Sequence, residues 1–127
     1  MVGAAIVRDG RVLAARRTAP PSAAGRWELP GGKVEPGETE AESLVREVAE
    51  ELGVVITVGH WLAGEQPIAE HYLLRVALAS IDAGEPAPSE HDAVRWLRAG
   101  ELDDVDWLDG DRPFLTELSH LLPRLEE

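Results

Sequence analysis

Apolar positions recur along this chain in two periods, with turn residues between them. Val2–Val7 is a continuous apolar run and Val12–Ala15 a second, divided by Arg8-Asp9-Gly10-Arg11. Asp-Gly between two such runs predicts a β-hairpin, because both central positions of the favoured tight turn need left-handed backbone. Ala19-Pro20-Pro21-Ser22-Ala23-Ala24-Gly25 has the composition of a loop. Trp27–Leu29 predicts a short strand leading into Pro30-Gly31-Gly32. The period then becomes helical: Ala41, Leu44, Val45, Val48, Ala49 and Leu52 form one apolar stripe. Thr39 and Glu42 have the spacing of a capping box at its start, and Gly53 stands where such a helix ends.

Val54–Leu62 and Tyr72–Ile81, rich in Val, Ile and Leu, predict two further strands. Asp82–Asp92 reads as a Pro/Gly/acidic loop, Ala93–Leu97 as a short strand and Arg98–Leu102 as a helical turn. Pro113 suits the first turn of a last helix reaching about Leu122, with Asp111 as a candidate cap. Strands and helices alternate without a repeat, a low-complexity tract or a linker. The expectation is one domain over residues 1–127 with an α+β or α/β sandwich fold.

The apolar stripe leaves only the opposite side of the helix for Glu47, Glu50 and Glu51. Each helical residue turns the chain by about 100°, so these three lie within about 100° of one another. Like charges packed so closely need a cation. Mg²⁺ or Mn²⁺ prefers carboxylate and water oxygens, whereas zinc favours imidazole and thiolate. Such an ion binds phosphates, withdraws charge from phosphorus and lowers the pKa of a nearby water, whose proton a neighbouring carboxylate accepts.

Composition narrows the partners. The chain has 127 residues, 44% hydrophobic and 28% charged, as expected for a soluble globular protein. It has no cysteine, which excludes disulfides, thiol nucleophiles and cysteine-bound zinc. A net charge of −12 argues against a nucleic-acid polymer as partner. A small anionic substrate is still compatible where metal ions and a few cations reverse the field in a cleft. The apolar start is too short, and lacks the basic lead, for a signal peptide, and no stretch approaches a membrane span. A cytoplasmic protein, monomer or homodimer, is expected.

From Gly32 to Val54 the chain reads GKVEPGETEAESLVREVAEELGV. The positions Gly32, Glu38, Arg46, Glu47, Val48, Glu50, Glu51, Gly53 and Val54 match the Nudix box throughout, and the chain resembles that superfamily. The resemblance implies a mixed β-sheet between helices, an α/β/α sandwich, and hydrolysis of a nucleoside diphosphate linked to another group. It implies that Glu47, Glu50 and Glu51 hold the metal, joined by the carbonyl of Gly31. Arg46 either orients a glutamate through an ion pair or makes a plain surface salt bridge. Glu38 either supports the site or binds metal directly.

Lys33 and Arg17 resemble the phosphate-contacting residues of the MutT-like branch; the alternative for each is a solubilising charge. Glu90, in Ser89-Glu90-His91-Asp92, is the candidate for a fourth metal-binding carboxylate, or an ordinary loop acid. His91 alone carries little weight. The stretches Arg26–Lys33 and Trp107–Pro113 extend the likeness to MutT-like enzymes, including actinobacterial ones, that cut nucleoside triphosphates to monophosphate and pyrophosphate. There the base-reading residue falls at Asp111. An ionised carboxylate accepts hydrogen bonds, so it suits the amino group of cytosine, and oxidised guanine also offers donors. Substrates implied are therefore 8-oxo-dGTP or dCTP and CTP, with Mg²⁺.

Other specificities have weaker support. Tyr72 lies where dinucleoside polyphosphate hydrolases carry a tyrosine, and the proline of ADP-ribose hydrolases is replaced by Glu70, with Pro67 displaced. A binding module without activity would lack a box glutamate, and this chain keeps all of them. Trp27, Trp61, Trp96 and Trp107 are core candidates, any of which can also stack on a base.

Overall fold

The computed structural model describes residues 1–69 and 72–125. Its strands are β1 (Val2–Arg8), β2 (Arg11–Arg17), β3 (Trp27–Glu28), β4 (Gly31–Gly32), β5 (Val55–Ala69), β6 (Tyr72–Ala83) and β7 (His91–Leu97). Its α-helices are α1 (Glu40–Leu52) and α2 (Arg112–Leu121), with short 3₁₀ segments at Ala99–Asp104 and Leu122–Leu125.

The predicted hairpin forms. Val7 pairs with Val12 and Arg8 with Arg11, and the turn residues Asp9 and Gly10 have φ of 52° and 73°. The capping box forms too. Thr39 Oγ1 accepts the Glu42 N–H at 3.1 Å, and Glu42 Oε1 accepts the Thr39 N–H at 2.9 Å. Gly53, at φ 71°, closes α1 through its N–H to the Ala49 carbonyl.

The sheet runs β3-β2-β1-β6-β5, with β7 on the other edge of β2 and β4 on β1. β1 and β6 are parallel and every other pairing between two of these strands is antiparallel. β1 and β2 pair only at their shared turn and then diverge. The segment Trp27–Gly32 fills that split: Trp27 and Glu28 pair with β2, Gly31 and Gly32 pair with β1, and the Pro30 carbonyl accepts the Ala4 N–H. This bridge across the open sheet positions the functional site.

Helix α1 packs Leu44, Val48 and Leu52 against Val2, Ile6 and Leu13 on one face. On the other face Trp107, Phe114, Leu118 and Leu122 close over Val12, Ala14 and Val76. The result is the expected α+β sandwich. Burying a side chain of this size stabilises by about 1.5–3 kcal/mol, so these layers fix the sheet before any ligand arrives.

Several expectations are corrected. The buried face of α1 is Ser43, Leu44, Val48, Glu51 and Leu52, while Val45 and Ala49 are exposed. The apolar pattern misplaced the face because Glu51 turns inward to a backbone donor. β5 runs on to Ala69, since pairing with β6 overrides the unfavourable Gly64 and Pro67. β7 begins at His91, ahead of the expected Ala93, because Arg17 pairs with it. Trp27 and Trp107 are buried, whereas Trp61 and Trp96 are half-buried beneath Arg75 and Arg8. Asp111 occupies the cap position of α2 but makes no side-chain cap bond. The comparison at Glu70 lies outside the described residues.

Candidate active site

Two cavities meet at the sheet split. The first, of about 380 Å³, is lined among others by Leu29, Leu74, Leu108, Arg26 and Asp111. The second, of about 370 Å³, is lined by Arg17, Thr18, Ala19, Glu28, Glu51, Glu90 and His91. Arg17 and Glu28 belong to both.

The glycines of the box loop are needed for close approach. A Cβ on Gly31 would stand 2.0 Å from the Val2 carbonyl oxygen, and one on Gly32 would stand 2.5 Å from Glu47 Cδ. That contact lets the loop lie directly on α1, where the Gly31 N–H donates to Glu51 Oε2 at 3.1 Å.

The three helix acids do not converge on one point. Arg46 Nη1 donates to Glu47 Oε1 at 2.9 Å and to Glu50 Oε2 at 3.4 Å. Glu38 holds the same guanidinium at Nε, at 2.7 Å, and at Nη2, at 3.0 Å. Arg46, with one positive charge, bridges Glu47, Glu50 and Glu38, and Glu51 turns to the loop. Among the described residues, no three His, Asp or Glu side chains are grouped closely enough to hold a metal ion as they stand. Glu47 and Glu50 meet at Arg46 Nη1, while the Gly31 N–H holds Glu51 apart from them.

Glu51 nevertheless sits in surplus negative charge. It is only 7% exposed, and burial first, then Glu28 and Glu47, push its carboxyl up to about 8. Glu90 adds a smaller push from the second cavity. A wall of oxygen donors with unbalanced charge, and without sulfur, fits a hard divalent cation. Glu47, Glu50, Glu51, Glu90 and the Gly31 carbonyl are the groups within this region that would hold one.

Asp111 is brought to the first cavity by strand-like pairing of its approach. Trp27 N–H donates to the Asp106 carbonyl and Leu108 N–H to the Trp27 carbonyl, both at 2.8 Å. Trp107 is anchored below by its Nε1–H to the Leu102 carbonyl at 2.7 Å. The Asp111 carboxyl, 5% exposed, lies near the Leu29 N–H. Burial, then the charge of Glu28, push it up to about 8. A carboxyl raised in this way is biased towards its protonated form, which offers both a donor and an acceptor, whereas an ionised carboxylate only accepts.

Lys33 lines neither cavity; its ammonium lies 4.8 Å from the centre of the Tyr72 ring. Two further residues line the second cavity: Glu28, which pattern alone passed over, and His91, to which it gave little weight. Glu28 receives Arg17 Nη1 at 3.1 and 3.0 Å and lies 2.8 Å from His91 Nε2. Their signal was the joint occurrence of a strand acid and a loop histidine, which only the fold brings together.

The family model described as NUDIX domain matches residues 1–118. The chain belongs to the Nudix family and is a MutT-like Nudix hydrolase. It is 44% identical over 125 residues to a Mycobacterium tuberculosis protein provisionally named 8-oxo-dGTP diphosphatase 2, covering 96% of this chain and 89% of the relative. It is 37% identical over 117 residues to the Escherichia coli CTP pyrophosphohydrolase, covering 91% and 87%. The solution structure of the E. coli ORF135 protein superposes with a TM-score of 0.81 at 35% identity, covering 98% of this chain and 90% of that one.

Proposed function

We propose that this Nudix hydrolase cleaves a nucleoside triphosphate to the monophosphate and pyrophosphate, acting on 8-oxo-dGTP or on dCTP and CTP in nucleotide-pool sanitation. The observation that carries this reading is the pair of cavities joined at Arg17 and Glu28. One combines Leu29, Leu74 and Leu108 with the buried Asp111, beside Arg17, Arg26 and Glu28, and suits a nucleoside; the other is lined mostly by charged side chains and, with a divalent cation on its glutamates, would suit phosphates. The names of the M. tuberculosis and E. coli relatives agree with it.

In this reading the base enters the first cavity and meets Asp111, while the phosphates pass Arg17 into the second. Arg17 and, once drawn from Tyr72, Lys33 supply positive charge. Glu47, Glu50, Glu51, Glu90 and the Gly31 carbonyl would hold Mg²⁺ or Mn²⁺, which would draw charge from the phosphates and lower the pKa of a water. Glu50 or Glu51 accepts the proton of an attacking water as its oxygen adds to phosphorus, and the bridging P–O bond breaks to release the leaving phosphate group. Arg46 holds Glu47 and Glu50 in place, and Glu38 holds Arg46. Residues 1–127 work as one domain, in the cytoplasm, as a monomer or homodimer.

The test is the purified protein with Mg²⁺ and each of 8-oxo-dGTP, dCTP and CTP, with phosphate and pyrophosphate resolved. Monophosphate and pyrophosphate from at least one is the expected result. No hydrolysis of any of the three overturns the reading.

A further inference from the structure

His91 stands at the start of β7, where the pairing of β2 with β7 slips. Arg16 faces Ala93, yet Arg17 faces His91, so Asp92 is an extra residue in the ladder. Without the slip, Arg17 would face Asp92, and His91 would point to the opposite side of the sheet. The bulge instead places His91 on the same face as Arg17 and as Glu28, which pairs opposite Ala15. The displaced Asp92 binds Arg16 at 2.7 Å.

The three side chains form a chain across three strands. The Glu28 side chain is 14% exposed and that of His91 3%. Arg17 reaches both Glu28 oxygens through one nitrogen, Nη1, and donates through Nε to the Ala19 carbonyl at 2.9 Å. A carboxylate held from one point by a long side chain can swing. The second point is His91 Nε2, on a ring fixed by burial. His91 Nδ1 has no hydrogen-bond partner among the described residues. The buried ring therefore makes one side-chain hydrogen bond among the described residues, through Nε2 to Glu28 at 2.8 Å.

We propose that His91 is a positioning residue: through Glu28 it fixes the Arg17 guanidinium at the boundary of the two cavities, and so governs nucleotide affinity. This rests on the proposed hydrolysis of nucleoside triphosphates. It adds a residue that acts on the nucleotide through Glu28 and Arg17.

The test uses two substitutions that differ in where they put a donor. A glutamine amide nitrogen falls near the His91 Nε2 position, and an asparagine one near Nδ1. His91→Gln is expected to keep KM within about twofold of wild type. His91→Asn is expected to raise KM about tenfold, the size of one lost charge-assisted hydrogen bond, with kcat changed less. In an Arg17→Ala background His91→Asn has no further effect on KM. Calorimetric binding of an α,β-imido analogue of dCTP follows the same order without turnover. Equal loss in both His91 variants overturns the proposal, as does an unchanged KM in His91→Asn. A full tenfold effect of His91→Asn on top of Arg17→Ala does so too. Wild type that neither cleaves nor binds nucleotide overturns the functional reading and this proposal with it. Wild type that binds while His91→Asn binds equally well overturns this proposal alone.

Discussion

Gly32 lies so close to Glu47 that a methyl group on it would stand 2.6 and 2.7 Å from the two carboxylate oxygens. The loop and the helix of the box are therefore packed without space for a side chain between them. Gly32→Ala forces Glu47 away from its position beside Arg46. A displacement of this kind, of about 1 Å, lowers kcat by about a hundredfold. The thermal midpoint should fall only slightly, because the core on both faces of the sheet is untouched. Steady-state kinetics beside a melting curve checks this; wild-type kcat would show that Glu47 has no part in turnover.

Glu51 links function to stability. Its carboxyl is raised to about 8 in the folded protein, against about 4.3 when unfolded. Between those values the folded state holds the proton that the unfolded state has lost. Stability therefore falls as pH rises from about 4 to 8, and the full penalty applies above 8. Glu51→Gln, which never ionises, should be more stable than wild type at pH 8.5, by up to a few kcal/mol, with little difference at pH 4. Urea unfolding at the two pH values checks it. Equal stability at pH 8.5 would show that Glu51 is not strained in this way.

Asp111 predicts a pH-dependent affinity. Below about 8 its protonated carboxyl donates and accepts, which matches a base edge with adjacent donor and acceptor, such as N4–H and N3 of cytosine. Above 8 only acceptance remains. KM for dCTP should rise as pH increases through 8 in wild type. It should stay flat in Asp111→Asn, whose amide keeps both roles. The same rise in both variants would assign the titration to another group.

Trp107 supports Asp111 from beneath. Trp107→Phe removes the buried Nε1–H and leaves the Leu102 carbonyl without its donor, a loss of about 2 kcal/mol. The urea midpoint should fall with the slope unchanged, and KM should rise as residues 108–111 loosen. A variant as stable as wild type would show that this hydrogen bond contributes nothing.

What was legible in the sequence was local. The Asp9-Gly10 hairpin, the Thr39–Glu42 capping box and the Gly53 stop each depend on residues within a few positions of one another, and all three formed. The ion pair of Arg46 with Glu47 was legible for the same reason. Glu51 was misjudged because a charged residue on a helix reads as exposed, and the donor that draws it inward, Gly31 N–H, lies twenty residues away. Glu28 and His91 are separated by 63 positions, and their meeting depends on a one-residue slip that no periodicity announces. The length of β5 was missed because its second half gains its structure from β6 and not from its own residues.

The central claim is that the box glutamates drive diphosphate hydrolysis, and Glu51→Gln tests it most directly because the substitution is expected to stabilise the fold. The measurement is the rate of pyrophosphate release at saturating 8-oxo-dGTP, dCTP or CTP and Mg²⁺, at pH 8.5, for wild type, Glu50→Gln and Glu51→Gln. Loss of about three orders of magnitude in kcat, in a protein that melts no lower than wild type, is the predicted result for Glu51→Gln. Turnover like that of wild type in both variants would contradict the account.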